Sequence, residues 1–117
     1  MLPKSHFPLL SDWLNLLVEF QKIFTSNSDD IDQIFSQWRK IQNYLQTEIM
    51  TFEENNIDIS AFPQWQSWQR ETHRYWKLIN TELLFWKSSV SPSTKQKRKE
   101  SVLQHLQGMI QLTIKNQ

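Results

Sequence analysis

Residues 31–52 read Ile31-Asp32-Gln33-Ile34-Phe35-Ser36-Gln37-Trp38-Arg39-Lys40-Ile41-Gln42-Asn43-Tyr44-Leu45-Gln46-Thr47-Glu48-Ile49-Met50-Thr51-Phe52, and this stretch decides the fold. Ile31, Ile34, Trp38, Ile41, Leu45 and Phe52 recur in a near-heptad series, with Phe35 and Ile49 on its flank. Steps of three and four put these side chains on one face of a helix. Such a face packs along its whole length against neighbouring helices at shallow angles. Ser28, Asp29 or Asp30 caps the start, and acids cluster there, where the helix dipole favours them.

Moving outward, residues 5–24 form a second amphipathic segment. Phe7, Leu10, Leu14, Leu17 and Phe24 make one stripe, which Leu9, Trp13, Leu16, Phe20 and Ile23 widen. Pro8 fits only in the first turn, so Ser5 is a plausible cap; the alternative is a start at Ser11. Thr25-Ser26-Asn27-Ser28 is turn chemistry. Beyond residue 52, Glu53-Glu54-Asn55-Asn56 ends the second helix and Ser60 caps a third, with Pro63 in its first turn. Trp65, Trp68, Thr72, Tyr75, Ile79, Leu83 and Trp86 then follow helical steps. The third helix fades near Val90, and Ser91-Pro92 reads as an N-cap with proline at the first helical position. The last helix carries Val102, Leu103, Leu106, Met109, Ile110, Thr113 and Ile114, and Gly108 inside it points to close packing.

Short polar breaks make sequential helices antiparallel neighbours. The expectation is an all-α, single-domain, up-down bundle of three to four antiparallel helices with long middle helices, in which Trp38, Leu45, Trp68 and Ile79 are buried. A three-helix form with a loosely docked first helix is the alternative. The single Gly among 117 residues agrees, because antiparallel β folds draw on glycine for tight turns.

Composition restricts the chemistry. No Cys is present, so disulfides, thiolate metal sites and a cysteine nucleophile are excluded. None of His6, His73 and His105 has a second His, Asp or Glu at the third or fourth position along a helix, so no metal pair is expected. One mid-helix Gly cannot build a phosphate-cradling loop. The adjacent Glu53 and Glu54 are ordinary helix-end polarity. No enzyme chemistry and no cofactor are expected. No apolar run approaches a bilayer span, and the absence of cysteine favours the cytoplasm.

Two features point to binding. The run Lys95-Gln96-Lys97-Arg98-Lys99, with Lys87 upstream, is a cationic patch suited to an acidic surface or phosphate. Positive charge in the first turns of a helix opposes its dipole, which argues against indifference, although a solvated helix start is the plain alternative. The second is aromatic. The chain has 6 Trp, 7 Phe and 2 Tyr, more indole than a small bundle readily buries. Trp65, Trp68 and Tyr75 read as core, whereas Trp76, Trp86 and Trp13 lie near the flanks, where exposed rings would make a binding or homodimer patch. Charge is also polarised. Residues 1–60 hold 4 basic and 9 acidic side chains; residues 61–117 hold 9 and 3. This split favours steering of partners or head-to-tail self-association, or simply lets the halves pack together. Arg70, Arg74 and Lys77 interleave with Trp68, Tyr75 and Trp76 as in single-stranded nucleic-acid binders, but the net charge of +1 and the lack of a nucleic-acid motif speak against that reading.

Read end to end, the chain resembles the PatD family of filamentous cyanobacteria, which limits how many cells become nitrogen-fixing heterocysts. The resemblance lies in Met1-Leu2-Pro3, in Tyr44-Leu45-Gln46-Thr47-Glu48-Ile49, in Leu83-Leu84-Phe85-Trp86, and in Ser91-Pro92-Ser93-Thr94 before a basic, Gln-rich final helix. The Trp-rich third helix departs from that pattern. The resemblance implies a non-enzymatic cytoplasmic regulator, acting at the division site, that binds the tubulin-like division protein FtsZ and promotes assembly of its filaments. Lys95, Lys97, Arg98, Lys99, Trp76 and Trp86 are the candidate contact residues. A homodimeric helical scaffold with another partner is the rival reading.

Overall fold

The heptad face of the second helix finds its neighbours in a four-helix bundle. A computed structural model describes residues 7–26, 29–51 and 62–116. It contains α1 (Phe7–Ser26), α2 (Ile31–Tyr44), α3 (Phe62–Ser88) and α4 (Pro92–Lys115), with no strand among the described residues. Contacts between successive helices run in opposite senses. Trp13 and Phe20 of α1 meet Tyr44 and Trp38 of α2, while Glu82 and Phe85 of α3 meet His105 and Arg98 of α4. The bundle is therefore up-down-up-down, and its principal extents are 50 × 20 × 19 Å. Four helices make the bundle, and the three-helix alternative fails because α1 is fully docked through Leu10, Trp13, Leu17, Phe20 and Phe24, all completely buried.

Local chemistry sets the helix ends. Asp30 caps α2 by accepting the Gln33 amide at 3.1 Å. Pro92 opens α4 after Ser91, as the sequence predicts, but the Ser91 hydroxyl lies against Ser93 Oγ at 3.1 Å and makes no cap bond to the backbone. Caps expected at Ser5, Ser28 and Ser60 lie outside the described residues, as do the connector and Phe52.

One departure from the expected periodicity is instructive. After Tyr44 the chain widens into a π-helical turn, Leu45–Ile49, closed by the Met50 N–H donating to the Leu45 carbonyl at 2.8 Å. The heptad place after Leu45 belongs to Glu48, which is exposed; Ile49, one residue later, is buried instead. The inserted turn keeps an apolar side chain on the core where strict periodicity would present a carboxylate. Gln69 of α3 then donates its side-chain amide to the Ile49 carbonyl at 2.7 Å, satisfying an acceptor at the helix end.

Indoles fill the interior. Trp38, Leu45, Trp68 and Ile79 are buried, as expected. Trp38 contacts Phe20, stacks coplanar on Trp76 at 5.8 Å and donates its Nε1–H to Asn80 Oδ1 at 3.0 Å. Trp65 stacks on Trp68 at 5.2 Å. On the other side of α3, Gly108 of α4 lies under Tyr75; a Cβ there would come within 2.9 Å of the phenol oxygen. The close packing expected at Gly108 is thus real, and it lets α3 and α4 approach along their length.

Candidate functional site

The basic run forms the first turns of α4, and the structure splits it between two faces. Lys95 and Lys99 turn toward the core end: Lys95 Nζ sits 5.1 Å from the Trp86 ring and Lys99 Nζ 5.9 Å from Phe24. Lys87 does the same over Phe35 at 5.1 Å. These cations cover aromatic faces that α4 leaves partly open, each contact contributing roughly 0.5–1 kcal/mol at an exposed site. Part of the run is therefore structural. Arg98 points the other way, over the Phe85 ring at 5.0 Å, and Lys97 is exposed.

That second face carries exposed apolar side chains. Phe85 is 49% exposed and Leu78 41%. Seven residues apart, they share one edge of α3, the edge that meets Arg98. Arg74, one turn before Leu78, is exposed and holds Glu71 at 3.5 Å. The result is a strip of two apolar side chains with cations at its end and flank. Such a strip suits an acidic partner that brings an apolar anchor.

The aromatic expectation needs correction. Trp13 and Trp86 are core residues. Trp13 is completely buried and stacks on Tyr44 at 6.2 Å, and Trp86 is only 2% exposed with its ring edge-on to Phe24 at 5.0 Å. Trp76 is half-buried, one face spent on Trp38. Neither an exposed indole patch nor a homodimer seam built on these three rings exists on this surface. The cause is the width of the core: α1 and α4 wrap the ends of the indole stripe that a single helix on its own leaves outside. The same burial removes the stacking platform a nucleic acid would use, since Trp68 is buried as well. The side chains to which sequence reasoning gave too little weight are Leu78 and Phe85, whose exposure depends on where α4 lies.

Two further polar features are visible. His105 Nδ1 lies 2.7 Å from Glu82 Oε1 across the α3–α4 seam, with Glu82 buried. Between α1 and α2, Tyr44 donates its hydroxyl to the Leu9 carbonyl at 3.0 Å; burial, then the nearby Asp12 and Glu48 carboxylates, push its pKa up to about 12. Among the described residues no three His, Asp or Glu side chains converge on a metal-sized site. No helix among them is long and apolar enough to cross a membrane. What fold and surface define is a helical bundle with an exposed strip of apolar and cationic side chains. No family model, no curated protein and no solved structure matches the chain.

Proposed function

We propose that the protein is a non-enzymatic regulator that binds the division protein FtsZ, promotes assembly or bundling of its filaments, and so modulates cell division and heterocyst frequency. The observation that carries the binding half is the strip of Leu78 and Phe85 with Arg98 over the Phe85 ring, next in sequence to the exposed Lys97. An exposed ring already held by a guanidinium offers apolar area and positive charge at one place. The partner half rests on the resemblance to the PatD family. Charged rims act mainly on encounter rate, and their effect fades with salt.

Co-sedimentation with FtsZ filaments at low salt tests this. The parent pellets with the filaments. A Lys97→Glu/Arg98→Glu variant stays largely in the supernatant while its circular dichroism remains helical. Lys95 and Lys99 are left intact, because they cover Trp86 and Phe24 and their reversal would disturb packing. A parent that never pellets with FtsZ overturns the proposal, and a variant that pellets as well as the parent removes the strip from it.

A further inference from the structure

A groove of about 470 Å³ runs between α1 and α2 on the opposite charge half of the chain. Asp12, Leu16 and Glu19 of α1 form one wall, and Gln37, Lys40 and Tyr44 of α2 the other. Asp12 and Glu19 are seven residues apart, so two exposed carboxylates stand about 10 Å apart along one helix edge. Neither forms an ion pair among the described residues. Gln37, only 7% exposed, lines the α2 wall with Lys40.

The chain itself carries the matching surface. Arg70 and Lys77 are seven residues apart on α3, both exposed and both without an ion pair among the described residues. They repeat along their helix at the interval at which Asp12 and Glu19 repeat along α1. Lys40 on the α2 wall repels a cation from that side, which places the cationic stripe along α1. Exposed Leu84 continues the α3 stripe by another seven residues and gives it an apolar end.

We propose that the α1–α2 groove receives the outward α3 stripe of a second copy of this chain, Arg70 and Lys77 pairing with Asp12 and Glu19. The two surfaces are different, so the contact is heterologous. Repeated, it generates open chains or rings and no closed two-fold dimer. The proposal does not depend on FtsZ binding, which uses the Leu78–Phe85 edge.

Light scattering and sedimentation equilibrium of the full chain test it with reciprocal charge swaps. The parent's weight-average mass rises above the 14.2 kDa of the monomer with concentration at low salt. It returns to the monomer value at ~0.5 M salt, where the screening length is only about 4 Å. Asp12→Lys/Glu19→Lys alone and Arg70→Glu/Lys77→Glu alone stay monomeric, since each places like charges on both surfaces. An equimolar mixture of the two variants associates again, because each reversed surface meets its opposite. All four positions are exposed, and circular dichroism confirms that the variants fold. A parent that is monomeric at every concentration overturns the proposal. So does a single variant that associates like the parent, or a mixture that stays monomeric.

Discussion

The third helix meets its two neighbours in opposite ways. Toward α4 it presses close: Gly108 removes a side chain so that Tyr75 can lie against the α4 backbone. Toward α2 the backbones come near along little of their length, and the stacked pair Trp38 and Trp76 spans the gap. One seam is set by a missing side chain, the other by two of the largest. The Trp-rich α3 thus uses Trp76 as a spacer and buries Trp65, Trp68 and Trp86, which makes its indoles poor candidates for an external patch. Exposed apolar area is left at Leu78 and Phe85 instead.

The largest effect comes from removing the spacer. Trp38→Ala loses the Phe20 and Trp76 contacts and the bond to Asn80. It should cost about 3–5 kcal/mol in denaturant unfolding. An unchanged midpoint would mean that the wide seam does not depend on the indole pair. Next comes the close seam. Gly108→Leu overfills the space under Tyr75 and should cost about 2–3 kcal/mol, despite leucine's better helix propensity. The penalty should shrink in a Tyr75→Ala background, where that space is open; equal penalties in both backgrounds would show that Tyr75 is not the obstacle.

A smaller effect sharpens the polar side of the α3–α4 seam. His105→Leu leaves the buried Glu82 carboxyl without its neighbour. His105 is about one-third exposed, so the cost should be about 1–2 kcal/mol, at the low end for an unsatisfied buried group. Glu82→Gln, which removes the charge and keeps the shape, should be close to neutral by thermal unfolding. The smallest effect concerns the cations that close the aromatic end. Lys87→Gln removes the contact over Phe35 and should lower stability by roughly 0.5–1 kcal/mol, readable as a slight fall in melting temperature.

Much of the architecture was legible in the residues. Ile34, Trp38, Ile41 and Leu45 fix the buried face of α2 by spacing alone. Ser91-Pro92 marks the start of α4, and Gly108 marks the close approach. The π turn was not legible, because a strict heptad and a widened turn differ only in whether Glu48 or Ile49 faces inward. The burial of Trp13 and Trp86 was also hidden. Helical periodicity reports the direction of a face, and how far neighbouring helices wrap that face is a property of the assembled bundle. The basic run was visible as charge, but its division between packing (Lys95, Lys99) and open surface (Lys97, Arg98) depends on which rings lie beneath each side chain. Gln37 gave no signal at all, since a glutamine beside Trp38 looks like an ordinary solvent-facing residue until α1 covers it.

The most direct test of the docking account is a residue-level map. The amide spectrum of the isotope-labelled protein should be titrated with unlabelled FtsZ at low salt. Shifts or broadening should concentrate at Leu78, Phe85, Lys97 and Arg98, with Asp12, Glu19 and Gln37 in the α1–α2 groove little changed. Perturbation centred on that groove, or a spectrum unmoved by FtsZ, would contradict it.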